Sequence, residues 1–389
     1  MGQLLSQGPL FIVCLIFMMG IVVVVHEYGH YLVGRWFGAA VESFSIGFGR
    51  SVFERTDKNG TRWRVNWIPL GGFVKFVGEA QTAADIGVVE KGPVGKAYKD
   101  LSPLKRIAVS LAGPVANFIL AIAIFALVFG VHGRAEYRTI VVDTQEGLPA
   151  EAAGFQAGDI IVSINGKEVA NAEAISIAIM LNPNTPLDFE VDREGGAVTL
   201  TVVPEEIVRE NNFGQETAQS TIGVRMGRVE GIERIRYNPV EAVGQGAIET
   251  WAAISRTVTM LDRIATGKMS IHTMSGPVSI GDISRRAVNQ VWAQEEASRG
   301  EKIMQMFWML VSICAAISVG VGFFNLLPLP VLDGGHIVFN IFELITGREL
   351  PEKVQEASLT FGVILLLGMV VVITWGDILE TGVLKAVGG

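Results

Sequence analysis

The sequence predicts a polytopic α-helical membrane protein with about four transmembrane helices, a membrane-associated β-hairpin region and a small extracytoplasmic α/β domain. Half of the 389 residues are hydrophobic, and the mean hydropathy is +0.42. Four apolar stretches are each about long enough to cross a hydrocarbon core of ~30 Å, the fourth being marginal. A more polar segment separates the second stretch from the third. The apolar stretches are 9–32, 107–131, 303–327 and 359–375.

The distribution of charge predicts the orientation in the membrane. Residues 1–33 contain no Lys or Arg, whereas residues 34–106 contain 12 of them against 7 Asp and Glu. By the positive-inside rule, the N-terminus faces outward and the 34–106 loop faces the cytoplasm. Residues 134–302 carry 16 basic and 24 acidic side chains, and we expect this segment to be extracytoplasmic. The expected partners include the lipid bilayer and exclude nucleic acid.

The first apolar stretch ends in the motif His26-Glu27-Tyr28-Gly29-His30. Residues four apart share one face of a helix, so His26 and His30 can bind one metal ion with Glu27 beside them as a base. Ionisable groups at membrane depth are costly and usually mark function. The alternative is a transmembrane helix whose polar end lies among lipid headgroups. A catalytic zinc site also requires a third protein ligand.

A candidate third ligand, Asp333, follows the third apolar stretch. Pro328 and Pro330 interrupt regular helix, and the glycines at 334 and 335 permit backbone conformations closed to other residues. This segment could direct the Asp333 carboxylate into the bundle, although an Asp-Gly-Gly turn between two helices is the alternative. In the predicted topology the first and third spans both run inward, so all three ligands approach the cytoplasmic leaflet. Two His and one carboxylate would also suit Fe(II), but the adjacent Glu27 favours Zn²⁺ and hydrolysis.

Two distant motifs, His26 to His30 and Asn325 to Gly335, together resemble the site-2 protease family of intramembrane zinc metalloproteases. The resemblance covers nearly the whole chain and includes Gly113–Asn117 and Ser275–Val278. It is closest to the bacterial branch that regulates sigma-E, although this chain has one PDZ-like segment where well-known members have two. The resemblance implies an inner-membrane endopeptidase in regulated intramembrane proteolysis. It implies single-span substrates, such as anti-sigma factors or remnant signal peptides.

Residues 41–78 alternate between apolar and polar side chains on both sides of a turn at Asp57–Gly60, which predicts β-hairpins. A protease must unwind a helical substrate, yet backbone groups exposed to lipid cost several kcal/mol each. A strand edge beside the zinc could bind those groups by β-addition, as the resemblance also implies. We place Trp63 and Val65 on that edge as substrate-binding candidates. The alternative is an amphipathic sheet lying on the headgroups.

The outward-facing segment contains a loop entering a short helix at 147–154, a strand ending in an Asn165-Gly166 turn, a helix over 173–181 and a hairpin over 187–203. This order indicates a PDZ domain of the bacterial, permuted type, with an unrelated α/β domain as the alternative. Its groove could bind peptide ends from a substrate, or the domain could exclude large substrates. From 239 to 265, apolar residues recur every three or four positions, which predicts a helix on the outer membrane surface or packed in the protein.

We assign Glu27 as the catalytic base, which would move a proton from water to the leaving amine. Asn325 and Asn117 could bind the substrate backbone or stabilise the oxyanion, although Asn117 could equally form an interhelical hydrogen bond. His336 is not expected to be a ligand, because Asp333 completes the set. The rival functions are a catalytically silent scaffold that recruits partners through the PDZ domain, and hydrolysis of lipid or another small molecule.

The predicted order of segments follows from these assignments. It comprises transmembrane helix 1 with the zinc motif at 1–34, cytoplasmic-side hairpins and a loop at 35–102, transmembrane helix 2 at 103–133, the PDZ-like domain at 138–227, amphipathic helices and a connector at 228–302, transmembrane helix 3 with the third-ligand loop at 303–336, and transmembrane helix 4 with the tail at 337–389.

Overall fold

The computed structural model describes residues 2–78, 93–136, 138–169, 171–210, 216–229, 233–266, 291–292 and 298–380. Within these residues, four helices are long and apolar enough to cross a membrane, which confirms the number expected from the sequence. The Ser275–Val278 motif lies outside the described residues. The described residues include the helices α1 (Gly2–Trp36), α2 (Pro103–Leu127), α3 (Pro149–Ala152), α4 (Ala172–Met180), α5 (Pro239–Ala265), α6 (Arg299–Asn325), α7 (Asp333–Thr346) and α8 (Glu352–Glu380).

Helices α1, α2, α6 and α8 are the candidate spans, and α2 continues through one π-helical turn, Val128–His132. Met18 and Val22 of α1 and Cys314 of α6 form a buried apolar cluster. Leu120 and Ile124 of α2 pack against that cluster, so α1, α2 and α6 share one core. Because the cluster lies one to two turns before the His26 motif, it fixes how the end of α1 faces its neighbours.

Strands β1 (Val41–Thr56) and β2 (Arg62–Phe76) form the hairpins predicted over 41–78. Residues 43–46 pair on one side with 62–65 and on the other with 72–75, while residues 51–56 pair with 62–66. The sheet therefore runs in the spatial order 51–56, 62–66, 43–46 and 72–75. Gly60 adopts φ +84° at the predicted turn. The register places 72–75 at one edge of the sheet and 62–66 in its interior.

A second buried cluster joins this sheet to the helices. Val41 and Phe76 of the sheet pack with Leu101, which follows the 3₁₀ turn Tyr98–Asp100, and with Val109 of α2. Tyr31 of α1 packs against the same cluster. The edge of the sheet is thus attached to the two helices that surround the His26–His30 motif.

The sequence predicted that Asp333 lies on a loop, but in the structure it is the first residue of helix α7. The irregular segment is shorter and ends at Leu332, whose extended backbone begins the helix. An acidic residue in the first turn is favoured by the partial positive charge of a helix N-terminus. Near the other end of α7, Glu343 forms a 2.5 Å ion pair with Arg106 at the start of α2.

Residues 129–237 form a separate compact unit. Its strands are β3 (Arg134–Glu136), β4 (Thr139–Thr144), β5 (Ile160–Ile164), β6 (Lys167–Glu168), β7 (Leu187–Arg193), β8 (Gly196–Val202), β9 (Glu205–Glu210), β10 (Glu216–Thr221), β11 (Val224–Arg228) and β12 (Glu233–Ile235). The main sheet has the order β11-β4-β5-β7-β8, with β6 beside β5. Strands β9 with β10, and β3 with β12, form two smaller antiparallel pairs.

The core of this unit lies between its main sheet and the short helices. Phe155, Ile175, Leu187 and Phe189 are among its fully or nearly fully buried side chains. The turn at Asn165-Gly166 has positive φ at both residues, as the Asn-Gly pair predicted. The helix and hairpin expected from the sequence occur here as α4 and as β7 with β8.

Helix α5 belongs to the same unit as the candidate spans and packs one face against α2. That face carries small residues, Ala242, Gly246 and Thr250, which are spaced four apart and buried. A Cβ at Gly246 would lie 2.7 Å from the backbone oxygen of Ile122, so the two helices approach closely at this point. The opposite face exposes large apolar side chains, including Trp251.

Candidate metal centre

Three predicted ligands, His26, His30 and Asp333, converge in the structure. The Nε2 atoms of His26 and His30 lie 3.2 Å apart. Oδ2 of Asp333 lies 3.1 Å from Nε2 of His26 and 3.4 Å from Nε2 of His30. Both imidazoles are buried, and the Asp333 side chain is 19% exposed. Two segments more than 300 residues apart in the chain therefore present three donor atoms to one point.

The close approach of α1 to α2 brings the two imidazoles into position. A Cβ at Gly29 would overlap the backbone oxygen of Ala112, so only glycine allows this approach. A Cβ at Gly113 would overlap the imidazole of His30 and lie 2.8 Å from Cε1 of His26. Glycine at 113 thus leaves the space that the two rings occupy.

Helix α2 also contacts both imidazoles through polar atoms. Nδ1 of His30 donates to the backbone oxygen of Val109 over 2.7 Å. Nδ1 of His26 lies 3.1 Å from Nδ2 of Asn117. An acceptor on the remote ring nitrogen, such as the Val109 oxygen at Nδ1 of His30, orients a metal-binding histidine and leaves the other nitrogen for the ion.

The backbone path around α7 positions the third ligand. A Cβ at Gly334 would overlap backbone oxygens of Leu326 and Leu327, and one at Gly335 would overlap the backbone oxygen of Leu329. The two glycines therefore allow the first turn of α7 to pack directly against the chain that precedes it. This packing holds Asp333 toward the histidines.

Glu27 lies on α1 between the two histidines, and its Oε2 accepts a 3.0 Å hydrogen bond from the backbone N–H of Val74. Val74 belongs to the edge strand 72–75 of the sheet. The contact orients the carboxylate and ties it to that strand. The proposed base is therefore held at the boundary between the ligand cluster and the sheet.

The donor set fits a zinc ion. Ligand atoms about 2.0–2.2 Å from a tetrahedral zinc lie about 3.3–3.6 Å apart, close to the three separations observed. Oδ2 of Asp333 is buried and accepts no hydrogen bond from the described residues. A buried anionic oxygen without a donor is costly, whereas a bound cation would satisfy it. Two neutral imidazoles and one carboxylate would leave a fourth position open, as catalytic zinc sites do.

A cavity of about 340 Å³ opens onto this cluster. Its walls come from α1, from the edge of the sheet, from α2 and from the connection between α6 and α7. Asn325, the last residue of α6, lines the cavity, as its predicted contact with substrate requires. The lining residues around the ligands include Val23, Gly71, Gly72, Phe73, Val74, Tyr98, Ser110 and His336.

Three other predicted substrate contacts are placed elsewhere. Asn117 has no exposed surface and does not line the cavity. Trp63 stacks on Phe44, with ring centroids 4.7 Å apart, and donates to Asp57 from its indole nitrogen. Trp63 and Val65 belong to the interior strand 62–66, whose backbone already has neighbours on both sides. The accessible edge beside the ligands is 72–75.

Comparisons with known proteins identify the family to which this chain belongs. A profile described as peptidase family M50 matches residues 14–369. The chain belongs to peptidase family M50. A relative in Agrobacterium fabrum, named as a zinc metalloprotease, is 37% identical over 95% of each chain. A second so named, in Rhizobium meliloti, is 34% identical over 97% of this chain and 99% of its own. Metalloprotease MmpA of Caulobacter vibrioides is 34% identical over 97% of this chain and 98% of its own.

The chain is accordingly a zinc metalloprotease of family M50, and the four apolar helices found among the described residues agree with an integral membrane protein. Part of the chain is similar to the PDZ domain of an SdrC-like protein from Listeria monocytogenes. That match has 16% identity and a TM-score of 0.19, and it covers 23% of this chain and 85% of the Listeria chain.

The site of this M50 peptidase includes residues that sequence reasoning did not assign. His336 lies one turn after Asp333 on α7 and lines the cavity, as do Tyr98 and Ser110. Helical spacing could have placed His336 on the face of Asp333, but nothing in the sequence connects Tyr98 to α1. Gly71 and Gly72, which also line the cavity, could have been identified from the sequence, because glycines within a strand often mark a close approach of another backbone or a ligand.

Proposed function

We propose that this M50 peptidase cleaves peptide bonds within transmembrane segments of single-span membrane proteins. The observation that carries the proposal is that His26, His30, Asp333 and Glu27 lie on or beside apolar candidate spans, around a cavity bounded by a strand edge. Ionisable groups are costly within membrane-spanning helices and are usually found there only where function requires them. Their position therefore favours a protease that acts within the membrane.

The chemistry assigned to the chain follows from the positions of its side chains. His26, His30 and Asp333 would hold the zinc ion, which would polarise the substrate carbonyl and lower the pKa of a bound water molecule to about 7. Glu27 would take a proton from that water as its oxygen attacks the carbonyl carbon, and would give the proton to the amine as the C–N bond breaks. The Val74 N–H, which donates to Oε2 of Glu27, would orient the carboxylate for this transfer.

The edge strand offers a way to hold an unwound substrate. In an antiparallel strand, outward-pointing backbone groups recur at every second residue. The N–H of Val74 points away from β1 toward Glu27, so the backbone groups of Gly72 are expected to point outward as well. A substrate that pairs there would regain the hydrogen bonds lost on unwinding, directly beside the metal ligands. The β-addition edge is therefore proposed at 72–75, in place of the strand that carries Trp63 and Val65.

Asn325 is positioned for a contact with the same substrate. It lines the cavity at the end of α6 and is half-buried, so its amide can reach a bound chain. An amide donates and accepts at once, which suits a backbone segment with both kinds of group unpaired. We assign Asn325 to substrate binding, whereas residues of α2 orient the two histidines.

In the proposed topology, the N-terminus and the compact unit of residues 129–237, here called the PDZ-like unit, lie outside the bacterial inner membrane. The zinc site lies toward the cytoplasmic side. The absence of Lys and Arg before residue 34 and the excess of both over 34–106 support this orientation. Substrates already shortened outside, such as anti-sigma factors or remnant signal peptides, fit this arrangement. The PDZ-like unit would then bind their new ends or exclude longer ectodomains.

Replacement of the base tests the proposal. The full chain and its Glu27→Gln variant are reconstituted in vesicles with a model single-span substrate. We expect Glu27→Gln to keep its zinc content and lose cleavage by about 10²–10⁴-fold, because only proton transfer is removed. Asp333→Ala, measured beside it, is expected to lose zinc and cleavage together.

Two outcomes would contradict the proposal. If Glu27→Gln cleaved the span as fast as the unchanged protein, the hydrolytic role of this site would be lost. If the protein hydrolysed lipid or small esters but left every single-span substrate intact, the site would be hydrolytic with a different substrate class. Zinc content is read in each variant, so loss of metal is distinguished from loss of the base.

A further inference from the structure

Helix α2 gives each metal-facing imidazole a polar partner on the nitrogen that faces away from Asp333. The partner of His30 is the backbone oxygen of Val109, and the partner of His26 is the side chain of Asn117. The two partners lie eight residues apart on α2, whereas the two histidines lie four apart on α1. The pairing therefore depends on how the helices cross, and the sequence motif alone does not reveal it.

The hydrogen bond of His30 defines its tautomer. A carbonyl oxygen can only accept, so Nδ1 of His30 carries the hydrogen and the lone pair of the neutral ring lies on Nε2. That lone pair points toward Oδ2 of Asp333, 3.4 Å away. His30 is thus held in the form that can bind a metal ion through Nε2.

The contact of His26 is different, because an amide can donate or accept. Nδ2 of Asn117 lies 3.1 Å from Nδ1 of His26, while Oδ1 of Asn117 is buried without a hydrogen-bond partner among the described residues. If the amide nitrogen donated, the hydrogen of a neutral His26 would lie on Nε2, the atom that must bind the metal. A half-turn of the amide exchanges the two atoms and allows Oδ1 to accept from Nδ1–H.

We propose that Asn117 is a positioning residue for His26, and that its side-chain oxygen selects the tautomer in which Nε2 of His26 can bind zinc. This inference rests on the zinc site proposed above. Asn117 has no exposed surface, so water has no access to take over the role of its amide. Ser318 of α6, also without exposed surface, donates to the backbone oxygen of Asn117 over 2.8 Å and fixes that turn of α2 against the third span.

The acceptor role separates this proposal from an ordinary interhelical hydrogen bond. Aspartate at 117 keeps an oxygen acceptor of nearly the same shape and has no donor, whereas leucine keeps the volume and has neither. Carboxylate–histidine pairs of this kind orient zinc ligands in other proteins. Asn117→Asp should therefore preserve the metal site and Asn117→Leu should weaken it.

The test is the zinc dissociation constant of the full chain in detergent, measured by competition with a chelator of known affinity. We expect Asn117→Leu to weaken zinc binding by about 10–100-fold, the usual cost of losing such a partner. Asn117→Asp should bind zinc within about threefold of the unchanged protein, or more tightly. The matched control is Asn340→Leu, which alters a buried asparagine of α7 that bonds only to the backbone oxygen of His336 among the described contacts.

Thermal unfolding of each variant shows whether it is folded. If Asn117→Leu does not fold, Asn117→Asp decides alone, and a loss of more than tenfold in zinc affinity would overturn the acceptor role. Unchanged affinity in a folded Asn117→Leu would overturn the proposal as well, provided that Asp333→Ala loses zinc. If Asp333→Ala and His26→Ala both kept zinc, the metal site itself would be wrong, which is a distinguishable result.

Discussion

Two aspartates in separate units of the chain, each with a buried carboxylate oxygen, have opposite surroundings. In the PDZ-like unit, Asp159 is 1% exposed, and each of its oxygens accepts a hydrogen bond from Arg193 at 2.7–2.8 Å. The backbone N–H of Gln156 donates to the same carboxylate over 2.8 Å. At the candidate metal centre, Oδ2 of Asp333 is buried and accepts no hydrogen bond from the part of the chain that the structure describes, although two imidazole nitrogens lie within 3.4 Å.

The difference distinguishes a structural carboxylate, Asp159, from a candidate metal ligand, Asp333. A buried charge stabilises a fold only when donors and an opposite charge surround it, as around Asp159. Within the described residues, the ion-pair partners of Asp333 are the imidazoles of His26 and His30, and no Arg or Lys pairs with it. A bound cation would satisfy its buried Oδ2, so we expect the carboxylate to contribute mainly to metal affinity.

Exchanging each aspartate for asparagine gives the largest expected effect and tests this distinction directly. We expect Asp333→Asn to weaken zinc binding on the order of 10³-fold, because one of three ligands loses its charge. The metal-free variant should unfold at the same temperature as the unchanged protein or slightly higher, since an unsatisfied buried charge is removed. Zinc competition and thermal unfolding of the metal-free protein measure the two quantities.

Asp159→Asn is the matched control and should show the crossed pattern, with unchanged zinc affinity and a less stable PDZ-like unit. If Asp333→Asn destabilised the metal-free protein as strongly as Asp159→Asn destabilises its own unit, Asp333 would have a structural role. The distinction between the two carboxylates would then be lost.

A smaller effect is expected from the space that Gly113 leaves for the imidazoles. In Gly113→Ala, the added methyl would overlap the ring of His30, and the rings would have to move by about 1 Å, which metal sites tolerate poorly. We expect zinc affinity to fall by about 100-fold while the helix itself is retained, because alanine favours helix more than glycine does. Zinc competition and circular dichroism give the two readings.

Gly320→Ala in α6 is the control, since a Cβ there meets no atom within 4 Å. Zinc affinity that stayed unchanged in Gly113→Ala would mean that the rings can move without cost. The ligand geometry would then depend less on the crossing of α1 and α2 than the contacts indicate.

The placement of His26 and His30 on one face of α1 and the positions of two turns were predictable from the sequence, because local rules determine them. Spacing of four on a helix brings His26 and His30 to one face, and a turn signal at Gly60 predicts the first hairpin. The Asn-Gly turn at 165 and 166 locates a hairpin of the PDZ-like unit in the same way. In each case the relevant residues are near neighbours in the chain, so the local sequence pattern is enough to predict their relative positions.

The strand edge was not predictable, because it depends on which segments pair at long range. Residues 43–46 pair on both sides, and this leaves 72–75 at the edge and places Trp63 in the interior. The role of Asn117 depends likewise on the crossing of α1 and α2. Asp333 was predicted as a ligand, but its position as the first residue of α7 required the close backbone packing of the glycines that follow it.

The smallest expected effect is the pH dependence of the ion pair between Asp159 and Arg193. Burial alone would raise the pKa of Asp159, but the hydrogen bonds from Arg193 and from the Gln156 N–H, with the charge of Arg193, hold it below the ordinary value. A carboxyl group whose pKa is lower in the folded state stabilises that state at pH values above its unfolded pKa of about 3.9. The stabilisation is lost as the pH falls through the lowered folded pKa.

We therefore expect Asp159→Asn to lower the thermal midpoint of the PDZ-like unit by about 4–8 °C near neutral pH. This shift corresponds to a loss of about 1 kcal/mol of unfolding free energy in a domain of this size. The difference from the unchanged protein should shrink as the pH falls below about 4, because protonated Asp159 no longer pairs with Arg193. Hydrogen exchange of the β5 and β7 amides in the full chain reports on this unit separately from the membrane helices. A difference that stayed constant down to pH 2 would show that Asp159 acts through its shape and hydrogen bonds, and its charge would then not be what distinguishes it from Asp333.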